Sequence, residues 1–174
     1  MTRHGRPKPI DWIGKVVTRL DFTSGIRSYG MSGPKIRASC ERALSCPSQT
    51  PMANRHQIFC FLQVCKYKSD LELFGKKEYW QPPSEFEKLR AGDCEDYALW
   101  TWRKLIDLKE DARLVIGMHE KTGHAWVTSV CEDGVWLLET TSKHHLRFVR
   151  VEDAEGYRPW FSVDGRLRFF NHET

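Results

Sequence analysis

The sequence predicts an α+β domain, because helical periodicity comes first along the chain and strand-like runs come after it. Three observations carry this reading. Residues 80–108 hold two helix starts in succession, the period turns alternating or fully apolar after Asp111, and Asp164-Gly165 sits between apolar runs as a hairpin turn. At 174 residues, 40% hydrophobic and 29% charged, with seven Trp and nine Phe, the chain has the balance of one soluble domain able to bury a core.

Residues 1–56 are rich in Gly, Pro, Ser and basic side chains. Segments 24–35 (SGIRSYGMSGPK) and 46–54 (CPSQTPMAN) hold no period, and only 12–20 (WIGKVVTRL) reads as a short helix or strand. This stretch is expected to be a poorly ordered or loosely docked basic extension, with the folded domain spanning 57–174. Residues 57–67 (QIFCFLQVCKY) read as a helix. Ser84 and Glu87 spell a capping box, which predicts a helix from Ser84 that ends at Ala91-Gly92. Asp93 is a natural N-cap for the next helix, whose Ala98, Trp102, Leu105 and Ile106 share one face. Strands follow at 113–119, 124–130, 135–141 and 145–151, then at 160–163 and 166–170 around Asp164-Gly165.

The net charge of +4 is mild and both signs are interspersed, so the basic front reads as a solvated arm and no nucleic-acid partner is expected. No run approaches the ~18 apolar residues of a membrane span, and the start of the chain lacks the apolar core of a secretory signal. A monomer is expected, either cytoplasmic or virion-associated, or else a fragment or precursor that has lost its leader. Without a leader, disulfides are not the default for the six cysteines. The spacing C-x5-C-x13-C-x4-C from Cys40 to Cys65 is not that of a zinc knuckle.

Cys94 falls in the first turn of the second helix, where unpaired N–H groups favour a thiolate and can stabilise an oxyanion. Asp93, Glu95 and Asp96 surround it, and negative neighbours oppose a thiolate. Asp93 serves as a cap and Asp96 is a partner for Arg90 or Lys104. Alternatively, Asp93 and Glu95 ligate a hard cation such as calcium. His124, at a loop–strand junction, is the candidate base, with His119, His144 and His145 as competitors. Glu139 is the candidate to orient it. A two-residue turn between Cys131 and Gly134 puts Glu139 opposite His124, Trp126 or Thr128, all on one face of their strand.

The strings WQPPSEFEKLRAGDCEDYALW, GHAWVTSV and VWLLETT, with the later YRPWFSVDGRLRFF, resemble the bacterial transglutaminase-like cysteine proteinases over roughly residues 62–170. The resemblance implies a papain-like fold, with the nucleophile at a helix N-terminus packed on an antiparallel sheet that carries the histidine. It implies a triad of Cys94, His124 and Glu139, where glutamate stands in place of the family's usual aspartate. Cys94, Trp80 and Gln81 become the candidate oxyanion donors. Some members bind calcium through the acids flanking the cysteine, which suits Asp93 and Glu95. The function implied is thiol-dependent hydrolysis of a protein or peptide, as a cysteine peptidase or amidase, through a thioester and with no cofactor required for the chemistry. Glutamine acyl transfer or deamidation on the same site, and a non-catalytic binding member of the fold, are the alternatives.

Overall fold

The computed structural model describes residues 12–17, 33–46, 49–142 and 147–172. Strand β1 (Lys15–Val17) precedes α1 (Gly33–Ser45), α2 (Arg55–Val64), β2 (Lys66–Tyr67), α3 (Asp70–Phe74), α4 (Pro83–Leu89), β3 (Ala91–Gly92) and α5 (Cys94–Asp107). Then come β4 (Ala112–His119), β5 (Thr122–Cys131), β6 (Gly134–Glu139), β7 (Arg147–Arg150), a short 3-10 turn, β8 (Tyr157–Asp164) and β9 (Phe169–Asn171). Seven strands form one antiparallel sheet in the order β1-β9-β8-β4-β5-β6-β7, while β2 and β3 pair in parallel as a separate ribbon. No helix among the described residues is long and apolar enough to cross a membrane.

Helix α5 is the centre of the molecule. Its apolar face packs on the sheet through Ala98, Trp102 and Leu105, all without exposure, and Trp100 on another face is equally buried and stacks on Phe61 of α2 at 4.4 Å. A helix buried this far round must also satisfy the polar groups it carries inward. Lys104 pairs with the buried Glu87 of α4 and donates to Thr50 O at 2.6 Å, and Trp100 Nε1 donates to Glu87 at 3.1 Å.

Glu87 therefore does not reach back to Ser84 as a capping box. The helix begins one residue earlier, with Pro82 at the N-cap and Pro83 at the first helical position, where the missing N–H costs nothing. It ends at Arg90 in the left-handed region, and Ala91-Gly92 continues as β3. The hairpin after β8 is also wider than a two-residue Asp-Gly turn. The Asp164 carboxylate accepts from the N–H groups of Arg166 (3.0 Å) and Arg168 (2.9 Å), and β9 starts only at Phe169.

The division at residue 57 does not follow the packing. Helix α1 lies inside the expected extension, yet it seats Ile36, Cys40 and Ala43 in the main core with no exposure. Its C-terminal carbonyls Ala43 O and Leu44 O accept from Arg103 of α5, and Arg42 donates to Trp80 O at 3.2 Å. Strand β1 pairs with β9. The Gly-, Pro- and Ser-rich surroundings hide these short segments, because their order comes from contacts with residues 38 to 156 positions away. Ile36→Ala is expected to cost roughly 2–4 kcal/mol in chemical denaturation. An unchanged midpoint would return α1 to the status of a loosely docked arm.

Candidate active site and carboxylate cluster

The start of α5 is built by the segment before it. Gln81 donates its main-chain N–H to Asp96 Oδ1 at 2.8 Å, and its side-chain amide donates to Asp96 Oδ2 and to Ala91 O. Asp93 N adds a 3.3 Å bond to Asp96 Oδ2. Asp96 thus pairs with Gln81, and not with Arg90 or Lys104, because Lys104, more than two turns further along, is taken by Glu87. Gly92 makes this possible: a Cβ there would collide with the Asp96 carboxylate and lie 2.8 Å from Gln81 Nε2. Cys94, buried, is the first residue of the helix, and its thiol donates to Glu95 Oε2 at 3.2 Å.

Of the expected oxyanion donors, Gln81 has every N–H committed to Asp96 and Ala91. Trp80 is buried, with its indole N–H turned toward the Glu78 carboxylate and without a hydrogen bond of ordinary geometry. Beside Cys94 stands the phenol of Tyr67, a half-exposed residue that sequence reasoning missed. Tyr67 comes here because β2 runs parallel to β3, pairing Tyr67 with Gly92.

On the sheet, β5 turns into β6 through the two residues Glu132 and Asp133, with Cys131 opposite Gly134 and Val127 opposite Leu138. One further step puts Glu139 beside Trp126, on the face of His124. His124 Nε2 and Glu139 Oε2 are 2.8 Å apart. Glu139 also accepts from Tyr157 Oη at 2.7 Å and, through Oε1, from the hydroxyl and N–H of Thr141 at 2.7 and 2.9 Å. Burial pushes the Glu139 carboxyl up, but the His124 bond and charge, with the Thr141 donors, outweigh it and hold the group at about 2. Among the competing histidines, His119 stacks on Tyr157 at 4.1 Å, and its ring centroid lies 5.7 Å from that of His124. His144 and His145 lie outside the described residues.

Around the thiol, the two acids singled out from sequence are joined by others. Ligand oxygens of Asp70, Glu78 and Glu95 lie within 4.8 Å of one another, as do those of Asp70, Asp93 and Asp96. Burial, reinforced by the charge of Asp93, raises Asp70 to about 6 and Glu78 to about 7, and it raises Glu95 well above the usual carboxylate range. Burial raises Asp93 as well, and lifts Asp96 to about 8 despite the Gln81 donors. Asp70 Oδ1, Glu78 Oε2 and Asp93 Oδ1 are buried without a hydrogen-bond partner. Two carboxylate trios that share Asp70, with buried unpartnered oxygens among them, fit a hard cation such as calcium, which takes oxygen ligands. Asp70 and Glu78 were invisible as members because nothing in their spacing ties them to residue 93.

Residues 48–146 match the family model described as the transglutaminase-like domain. The chain belongs to this family. No curated protein matches the sequence significantly. Among solved structures, the EGTA-treated form of LapG from Legionella pneumophila is similar with a TM-score of 0.57 and 15% identity, over 86% of this chain and 84% of that one. The calcium-bound form of LapG matches with a TM-score of 0.56 and 15% identity, over 86% of each chain. At this identity the likeness shows a shared transglutaminase-like, papain-like fold.

The acidic cluster makes stability depend on pH in a definite direction. An unfolded carboxyl titrates near ~4, whereas Asp70, Glu78 and Asp96 titrate at about 6, 7 and 8 in the folded chain. Their contribution is therefore fully present below pH ~4 and is lost as pH rises through the folded values. Thermal melts in EDTA should show the melting temperature falling from pH 5.5 to pH 8.5, and a flat or rising profile would contradict the cluster.

Proposed function

We propose that the protein is a thiol-dependent hydrolase, a cysteine peptidase or amidase acting on a protein or peptide, with Cys94 as nucleophile, His124 as base and Glu139 as its orienter. The observation that carries this reading is the pairing of half-buried His124 with buried Glu139 on β5 and β6, with Cys94 at the start of the helix packed on that sheet. Glu139 engages Nε2 of the imidazole, which leaves Nδ1 to take the thiol proton. The thiolate adds to the amide carbonyl, the imidazolium protonates the departing amine, and water then cleaves the thioester with His124 again as base. The anionic Glu139, held at about 2, stays charged throughout the physiological range and stabilises the imidazolium. The oxyanion would form against the Cys94 N–H, beside the Tyr67 hydroxyl.

In the same reading Asp70, Glu78, Asp93 and Glu95 hold a calcium ion, a proposal supported by the buried unpartnered oxygens of Asp70, Glu78 and Asp93 and by the calcium-bound form of LapG. Such an ion would neutralise carboxylates that otherwise oppose a thiolate next to them.

Two measurements test the reading. Iodoacetamide labelling near neutral pH, resolved by peptide mass spectrometry, should modify Cys94 quickly, while Cys40 and Cys65, each pushed up to about 12 by burial, stay unlabelled in the native protein. His124→Ala should slow Cys94 labelling and abolish peptide hydrolysis, and a wild-type labelling rate in that variant would sink the assignment. Calcium at millimolar concentration should raise the melting temperature, more at pH 8 than at pH 6, because the ion must displace protons at the lower pH. Absence of any shift at pH 8 would remove calcium from the proposal.

A further inference from the structure

Glu139 is gripped by more than the histidine it orients. Its Oε2 accepts from two donors, His124 Nε2 at 2.8 Å and Tyr157 Oη at 2.7 Å, while Oε1 accepts the two donors of Thr141. A carboxylate with both oxygens engaged from different directions cannot swivel about its terminal bond. Tyr157 is itself immobile. It is 2% exposed at the first residue of β8, opposite His119 on β4, with its ring stacked on His119 and set edge-on to Trp126 at 5.2 Å. Its hydroxyl reaches from β8 across β4 and β5 to a side chain on β6. The length of glutamate matters here: an aspartate at 139 would end one methylene nearer its own strand, short of a donor that comes from across the sheet.

We propose that Tyr157, with Thr141 on the opposite oxygen, is a positioning residue that acts through Glu139 to hold the His124 ring at the angle the thiol requires. This rests on the reading of Cys94 and His124 as nucleophile and base. The charge-assisted bond from Tyr157 to Glu139 keeps Oε2 in line with Nε2. Without it, the carboxylate is free to turn about the Thr141 anchor, and the His124 ring loses the fixed partner that sets its angle toward the thiol.

The test uses the full chain and the rate of Cys94 alkylation by iodoacetamide, which needs no knowledge of the substrate. Tyr157→Phe keeps the ring that packs on His119 and Trp126, and it should slow alkylation about three- to tenfold, the range of one ordinary hydrogen bond. Glu139→Gln should slow it at least as much. The double variant should be no slower than Glu139→Gln alone, because an effect passing through Glu139 disappears with its charge. In protein labelled with 15N-histidine, the His124 Nε2 proton should move upfield in Tyr157→Phe as its bond to Glu139 lengthens. A wild-type or faster rate in Tyr157→Phe, or additive losses in the double variant, overturns the proposal. If Tyr157→Phe does not fold, Thr141→Val removes one donor from Oε1 and must meet the same criteria. His124→Ala separates the two levels: if it leaves alkylation unchanged, the nucleophile–base reading fails, whereas slowing there with no effect at Tyr157 or Thr141 rejects only the positioning role.

Discussion

The first turn of α5 is buried while it carries three acids in four residues, and the rest of the site depends on how that charge is accommodated. Carboxylates taken out of water must be hydrogen-bonded, protonated or matched by a cation. The chain uses the first solution for Asp96, which Gln81 grips through main chain and side chain across the gap that Gly92 leaves. Asp70, Glu78 and Asp93 each retain an oxygen without a partner. The structure therefore leaves a local excess of negative potential beside the Cys94 thiol, which donates to Glu95 in this arrangement. The thiol and the carboxylate cluster are adjacent because both sit at the same helix start.

The opposite wall of the site answers with the reverse electrostatics. Glu139 is also buried, yet it is surrounded by donors and held strongly acidic. The two acidic environments differ in donor count and not in burial: Glu139 meets donors from His124, Tyr157 and Thr141, while Glu95 faces other acids. One is held as an anion beside the His124 ring. The other is pushed toward its protonated form by burial and by its acidic neighbours.

Both walls rest on a polar scaffold inside the helical layer. The Glu87–Lys104 pair, with Trp100 and Thr50, ties α4 to α5 and to the segment before α2. A buried pair of this kind adds little net stability over an apolar substitute, but removing one partner leaves the other uncompensated. Arg42 and Arg103 extend the network to α1, so a helix just before the family match helps hold Trp80 and the C-terminal half of α5.

Much of this was legible in the sequence. Asp93 as an N-cap, Cys94 in the first turn, the strand period after Asp111 and the shared face of His124 and Glu139 follow from local rules, since a period of 3.6 or 2 acts within a few residues. The family resemblance sharpened the roles. What only the tertiary structure decided is the set of partners. Gln81 looked like an oxyanion donor until Asp96 claimed its N–H groups, Glu87 looked like a cap until Lys104 and Trp100 drew it inward, and α1 looked like part of a loose arm until the core accepted Ile36. Asp70, Tyr67 and Tyr157 joined the site without any mark in their neighbourhoods. Hydrogen bonds and buried charges are satisfied by whatever the fold brings within about 3 Å, and residues far apart in the chain carry no local record of that proximity.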